Sequence, residues 1–144
     1  VELVEAADMA DDVAIMSLKY AGVQKVRALR PDWRTGLLAA KAIGDLSRLD
    51  VDFLAVNKGS VSAHFVRHAE AAGKPVFAWT INDPASLARV VPAGVAGVIT
   101  DEPEAMRGLL AEREEMGPVE LLLLRTALLF DRPPPVRRYR DDSP

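Results

Sequence analysis

Several polar side chains follow apolar segments of this sequence, at points where a ligand could be bound. Lys19 and Asn57 each follow such a segment, and both can donate hydrogen bonds to a phosphate-bearing ligand, to which Lys19 adds a positive charge. Trp79 ends another apolar segment, where its large ring could form one wall of a pocket for an alcohol or glycerol group. The same ring could instead fill the core, and the pattern leaves both roles open.

Other polar residues at comparable positions have a simpler interpretation or no clear chemistry. They are Ser17, Lys58, Thr80, Asn82, Thr100 and Asp101. Asn82 and Asp101 each come shortly before a proline, which is typical of a helix start, so we expect these two to cap helices. The sequence contains no glycine-rich phosphate loop, paired-carboxylate signature or serine nucleophile motif. The residues alone therefore predict an anion site at most.

Composition excludes several classes of function. The chain has no cysteine, which excludes disulfides, zinc-thiolate sites, iron–sulfur clusters and thiol nucleophiles. His64 and His68 are four residues apart on a predicted outer helix, with no third ligand nearby in sequence, so we assign no metal ligands. The chain has 18 Lys and Arg residues against 21 Asp and Glu, and no basic stripe before the last few residues. This charge balance gives no reason to expect binding to nucleic acid.

The elements that must position these residues follow a repeat of about 20 residues, in which a short apolar run precedes a helical pattern. Strands are predicted at 13–18, 35–39, 51–57, 75–80 and 95–100. Helices are predicted at 21–30 and 43–49, from Ser60 or Ser62 to Gly73, and after Pro84 and Pro103. Short strands that are apolar on both faces and alternate with helices favour an α/β fold with a parallel sheet.

Two architectures accommodate five such units. One is a complete, doubly wound domain with five strands, which would act in binding or as a scaffold without catalysis. The other is the carboxy-terminal part of a (β/α)8 barrel, because a closed barrel typically needs about 250 residues and this chain has 144. Strand order discriminates between them, since only the doubly wound sheet has a reversal.

A series of segments resembles the glycerophosphodiester phosphodiesterase family over about residues 10 to 112. It begins with IMSLKY at 15–20 and VDFLAVN at 51–57. The most specific match pairs AAGKPVFAWTINDP at 71–84 with GVAGVITDEP at 94–103. The segments SLKY at 17–20 and VDFLAVN at 51–57 are most similar to bacterial members that carry a membrane domain ahead of the barrel.

This resemblance implies a (β/α)8 barrel and metal-dependent hydrolysis of glycerophosphodiesters to glycerol 3-phosphate and an alcohol, with Ca or Mg as the metal. The chain would supply strands four to eight. The family's His-Arg-Gly, Glu-x-Asp, His-Asp and Glu-x-Lys motifs belong to strands one to three, so we expect this chain alone to lack catalytic and metal residues and to be inactive. Trp79 resembles the family's substrate-pocket tryptophan, with Lys19 and Asn57 as further substrate-binding candidates.

The resemblance also sets expectations for organisation and partners. Residues 1–116 would be the barrel part, 117–131 an additional helix and 132–144 a disordered tail. An incomplete barrel exposes an unpaired strand edge, so we expect the chain to self-associate. A membrane domain, if the protein has one, would lie upstream, which leaves localisation open between the cytoplasm and the membrane. A degenerate barrel half that serves as a non-catalytic partner is a further alternative.

Overall fold

The computed structural model describes residues 1–117 and 119–120, which form a parallel sheet connected by helices and short 3-10 turns. The strands are β1 (Ala14–Ser17), β2 (Arg34–Ala39), β3 (Phe53–Asn57), β4 (Val76–Trp79) and β5 (Gly97–Val98). The helices are α1 (Glu2–Ala6), α2 (Tyr20–Leu29), α3 (Ala63–Ala71), α4 (Pro84–Val90) and α5 (Pro103–Glu115). The 3-10 turns are Ala10–Asp12, Leu46–Arg48, Lys58–Ser60 and Val91–Ala93.

The strands are hydrogen-bonded in chain order, β1-β2-β3-β4-β5, and every pair is parallel. The predicted α/β fold is confirmed. A doubly wound sheet requires a reversal of strand order, which this sheet does not have, so the doubly wound alternative is wrong. Consecutive order is what part of a (β/α)8 barrel requires.

The main core lies between the sheet and its helices. Leu54 and Val56 of β3 and Val76 of β4 are fully buried there, against Val23 of α2 and Val66 of α3. A second cluster continues this layer beyond β4. It consists of Ala78, Ile81, Leu87, Val90 and Met106. Successive residues of a strand point to opposite faces. The residues that alternate with these core residues therefore lie on the other face of the sheet, here called the inner face. On β3 and β4 they are Phe53, Ala55, Asn57, Phe77 and Trp79.

Aromatic rings and glycines interlock on the inner face. The rings of Phe53 and Phe77 meet edge to face, with centroids 5.6 Å apart. Phe53 covers its strand neighbour Gly36, where a Cβ would lie 2.2 Å from the ring. Phe77 covers Gly97 in the same way, at 3.0 Å. Each ring therefore occupies space that a side chain on the next strand would need.

A partly buried polar cluster fixes the amino-terminal ends of β2 and β3. Asp52 Oδ2 accepts hydrogen bonds from the amide and hydroxyl of Thr35, at 2.7 and 3.1 Å, and from Arg27 Nη1 at 2.8 Å. Burial alone would raise the pKa of the Asp52 carboxyl, but these hydrogen bonds and the Arg27 charge outweigh it and hold the pKa below its ordinary value. The cluster lies at the opposite end of the strands from the candidate site residues.

The structure shortens some of the predicted elements. β5 is two residues long, not six, and its only strand partner among the described residues is β4. The predicted helix at 43–49 is a single 3-10 turn, because Gly44 takes a left-handed φ of 77° and Asp45 then caps the turn at the Ser47 amide. Ser62, rather than Ser60, caps α3.

The chain boundary predictions lie largely outside the described residues. Of the predicted additional helix at 117–131, the structure describes only 117, 119 and 120, and the predicted tail at 132–144 lies wholly outside. Within the described part, no helix has both the length and the apolar character needed to cross a bilayer.

The interlocked inner face predicts opposite effects at two glycines. Gly36→Ala drives a methyl group into the Phe53 ring and should lower the free energy of unfolding by about 1 to 3 kcal/mol. Gly108→Ala, in α5 with no atom of the described residues within 4 Å of the new methyl, should raise it by about 0.5 to 1 kcal/mol. Urea unfolding of both variants checks this. Equal effects would contradict the packing described.

Candidate active site

The structure brings Asn57 and Trp79 together at the carboxyl ends of the strands. The two residues are direct partners in the β3–β4 ladder, and both lie on the inner face. Lys19 follows β1, which is three strands from β4. At about 4.8 Å between strands, Lys19 begins some 14 Å from Trp79 along the sheet. Asn57 and Trp79 therefore form the centre of the candidate site, and Lys19 belongs to its rim.

Trp79 is held in place through its ring nitrogen. The indole Nε1 donates a hydrogen bond to the backbone carbonyl of Ala55 on β3, at 3.0 Å. The side chain is half-buried, so it is neither a fully enclosed core residue nor a free surface group. A ring with its one polar atom satisfied and part of its surface open presents an apolar wall to a ligand.

Asn57 and Lys19 have side-chain donor groups that are available to a ligand. Asn57 Oδ1 accepts a hydrogen bond from the Gly59 amide at 2.9 Å, and its side-chain amide nitrogen has no partner among the described residues. Lys19 is exposed, and in that same part of the chain no carboxylate lies within salt-bridge distance of it. Both groups can therefore donate to an anionic ligand.

Lys58 is already engaged within the protein. Its Nζ lies 3.2 Å from Asp83 Oδ2 and donates to Ser86 Oγ at 3.0 Å. Burial alone would raise the pKa of the Asp83 carboxyl, but hydrogen bonds from Ser86 and the bond and charge of Lys58 outweigh it, and the pKa is lowered. Lys58 therefore ties the β3 loop to the start of α4 rather than facing the site.

Asn82 and Asp101 do not cap helices, so that prediction is wrong. Asp83 is the N-cap of α4, accepting from the Ser86 amide at 2.7 Å, and Glu102 is the N-cap position of α5. Asn82 Nδ2 instead donates to Asp101 Oδ2 at 2.6 Å, which joins the loops after β4 and β5. This pair is separated by 19 residues, and the periodicity of the sequence carries no signal for it.

The two histidines lie outside the sheet and take part in a different contact. Their rings are stacked with centroids 6.3 Å apart, and His68 Nε2 lies 3.3 Å from Asp45 Oδ1 and 3.1 Å from Ser47 Oγ. Across residues 1–117 and 119–120, no three His, Cys, Asp or Glu side chains come together in a way that could hold a metal ion. The described residues thus do not fit the metal that the resemblance implies.

Comparison with known proteins decides the family. Residues 4–105 match the model of the glycerophosphoryl diester phosphodiesterase family. The chain belongs to this family. The matched range contains all five strands and every candidate site residue.

This phosphodiesterase-family chain spans less than half of the length of each of the following relatives. It is 25% identical over 97 residues to the Bacillus subtilis protein YhdW, and spans 40% of that protein's length. A glycerophosphodiester phosphodiesterase structure from Parabacteroides distasonis matches 79% of this chain and 49% of its own, with a TM-score of 0.71 and 20% identity. An Oleispira antarctica phosphodiesterase in complex with its product sn-glycerol-3-phosphate matches 68% of this chain and 41% of its own, with a TM-score of 0.62 and 24% identity. The predicted architecture, an incomplete (β/α)8 barrel, is confirmed.

The Lys58–Asp83 contact predicts a defined pH dependence. The lowered pKa of Asp83 means that its contribution to stability is complete above the ordinary carboxyl pKa and is lost as the pH falls through the folded-state value. Lys58→Met should therefore lower the free energy of unfolding at pH 7 by about 0.5 to 1 kcal/mol, and the difference from wild type should shrink in acid.

Urea unfolding from pH 7 down into acid measures the difference in the free energy of unfolding between Lys58→Met and wild type. Lys41→Met is the control, because Lys41 is an exposed lysine of the neighbouring loop. A Lys58→Met effect that persists unchanged in acid would contradict the assignment.

Proposed function

We propose that the protein to which this chain belongs hydrolyses glycerophosphodiesters to glycerol 3-phosphate and an alcohol, as part of lipid metabolism. The observation that carries the proposal is the position of Trp79, half-buried on the inner face at the carboxyl end of β4, in a family match over residues 4–105. In (β/α)8 enzymes the chemistry lies at this end of the strands.

The chain's own part in this function is to bind the substrate. Trp79 would pack against the glycerol or alcohol carbons, since its ring nitrogen is already bonded to Ala55 and the ring offers an apolar face. Asn57, directly beside it in the ladder, would donate its side-chain amide to a substrate oxygen. Lys19 at the rim would attract the negatively charged phosphodiester over a longer distance.

The groups that carry out bond cleavage would come from the rest of the protein. A divalent metal, Ca or Mg, would be held by carboxylates outside this chain, since the described residues offer no cluster of metal ligands. The same holds for the general acid and base. We therefore propose that this chain alone has no phosphodiesterase activity.

The unpaired strands support this division of the barrel. Among the described residues, β1 pairs only with β2 and β5 only with β4, so each has an open edge. On the inner face near the open edge of β1, Met16 is 44% exposed. Eight strands close such a barrel and the described residues supply five, so three more would fill the gap between β5 and β1. Without them, the open edges would favour self-association.

Hydrolysis of glycerophosphocholine tests the proposal, with release of glycerol 3-phosphate as the readout. The protein as its gene encodes it should be active and should lose activity in EDTA, while residues 1–144 alone should be inactive. Activity of the isolated chain would overturn the assignment of the catalytic groups. An encoded protein that cleaves no glycerophosphodiester would overturn the function and would favour a non-catalytic barrel half.

Trp79 provides the residue-level test. Trp79→Ala should raise KM by about tenfold or more and change kcat much less, because an apolar wall binds the ground state and the transition state alike. Trp33→Phe is the matched control, since Trp33 is buried just before β2, at the opposite end of the strands. An unchanged KM in Trp79→Ala would contradict the role given to this residue.

A further inference from the structure

We propose that Asn82 is a positioning residue that holds Trp79 in place by tying the loop after β4 to the loop after β5. The proposal rests on the function given above, because Asn82 would fix the position of the Trp79 ring that packs against the substrate. Asn82 itself would not touch the substrate.

Asn82 uses both ends of its side-chain amide on the neighbouring loop. Its Nδ2 donates to Asp101 Oδ2 at 2.6 Å. Its Oδ1 accepts from the Asp101 amide at 3.0 Å and from Thr100 Oγ1 at 3.1 Å. Thr100 Oγ1 in turn accepts from the Glu102 amide at 2.9 Å, so the start of α5 belongs to the same network.

This network fixes the segment that carries Trp79. Only Thr80 and Ile81 separate Trp79 from Asn82. Ile81 is fully buried, and its amide donates to the Ile99 carbonyl at 2.9 Å. The segment is therefore held at Trp79 by the bond to Ala55, at Ile81 by packing, and at Asn82 by the loop after β5.

The following residue ties the same loop to the other side. Asp83 bonds to Lys58, which follows β3, and caps α4. The two adjacent residues thus connect the β4 loop to both neighbouring loops. Asp83 also has a structural role as a helix cap, whereas Asn82 has none, which makes Asn82 the residue whose loss reports on positioning.

The chemistry of the pair explains why an amide is needed at position 82. The Asn82 side chain faces the Asp101 carboxylate, the Thr100 hydroxyl and the Asp101 backbone amide, so it must both donate and accept hydrogen bonds. A carboxylate at this position would keep the two acceptor contacts but would face the Asp101 carboxylate at hydrogen-bond distance. Exchanging the two residues restores one donor and one acceptor across the same contact.

The test compares N82A, N82D, D101N and the double variant N82D/D101N in the protein as its gene encodes it. N82A and N82D should raise KM about three- to tenfold and leave kcat within about threefold. The double variant should return KM to within about twofold of wild type, while D101N alone should have little effect. Gln24→Ala is the control, since it removes one exposed hydrogen bond far from the site.

A spectroscopic readout separates this proposal from the proposed function. With 5-fluorotryptophan incorporated, the ¹⁹F resonance of Trp79, assigned by its loss in Trp79→Phe, should shift or broaden in N82A and N82D and recover in the double variant. This holds whether or not the protein cleaves a phosphodiester.

An unchanged Trp79 resonance, or an N82D defect that the double variant does not rescue, would overturn the positioning role. If N82A does not fold, the comparison of N82D with the double variant decides. A protein that is inactive on every diester but shows the ¹⁹F pattern would contradict the function and retain the positioning role.

Discussion

The ladder between β3 and β4 sets the geometry of everything at the carboxyl end of this sheet. Its hydrogen bonds place Asn57 beside Trp79 and, two residues earlier, Ala55 beside Phe77. A shift of β4 by one residue would turn Phe77 and Trp79 to the helix-covered face and bring Val76 and Ala78 to the inner face. The fully buried residues of that core leave no room for such a shift, since Leu54, Val56 and Val76 are packed against α2 and α3.

The register acts together with the loops that follow the strands. Two side-chain contacts connect the loops after β3, β4 and β5. Lys58 bonds to Asp83, and the adjacent Asn82 bonds to Asp101. Each bond is partly exposed and contributes little to global stability by itself. Their shared effect is to restrict three loops that would otherwise move independently, and Trp79 lies in the middle of the three. The loss of one of these bonds can therefore weaken substrate binding while it changes the free energy of unfolding only slightly.

Local sequence patterns predicted the elements that rely on local physics. The apolar runs identified all five strands, and Pro84 and Pro103 identified the starts of α4 and α5, because strand burial and the fixed φ of proline at a helix start depend on nearby residues. The α/β fold followed from the alternation of these elements.

The contacts between loops could not be predicted in this way. Asn82 and Asp101 resemble helix caps in sequence, and only the parallel pairing of β4 and β5 brings them together. The contact of His68 with Asp45 was missed for the same reason, as it spans 23 residues. The length of β5 depends on strand partners, of which the described residues supply one, and no local pattern encodes that.

The most direct test of this account is a crystal structure of the protein as its gene encodes it, with sn-glycerol 3-phosphate bound. The account predicts the glycerol carbons in van der Waals contact, at about 4 Å, with the indole ring of Trp79 at the carboxyl ends of β3 and β4. It would be contradicted by a ligand bound elsewhere, with the Trp79 ring enclosed by side chains of the strands that complete the barrel.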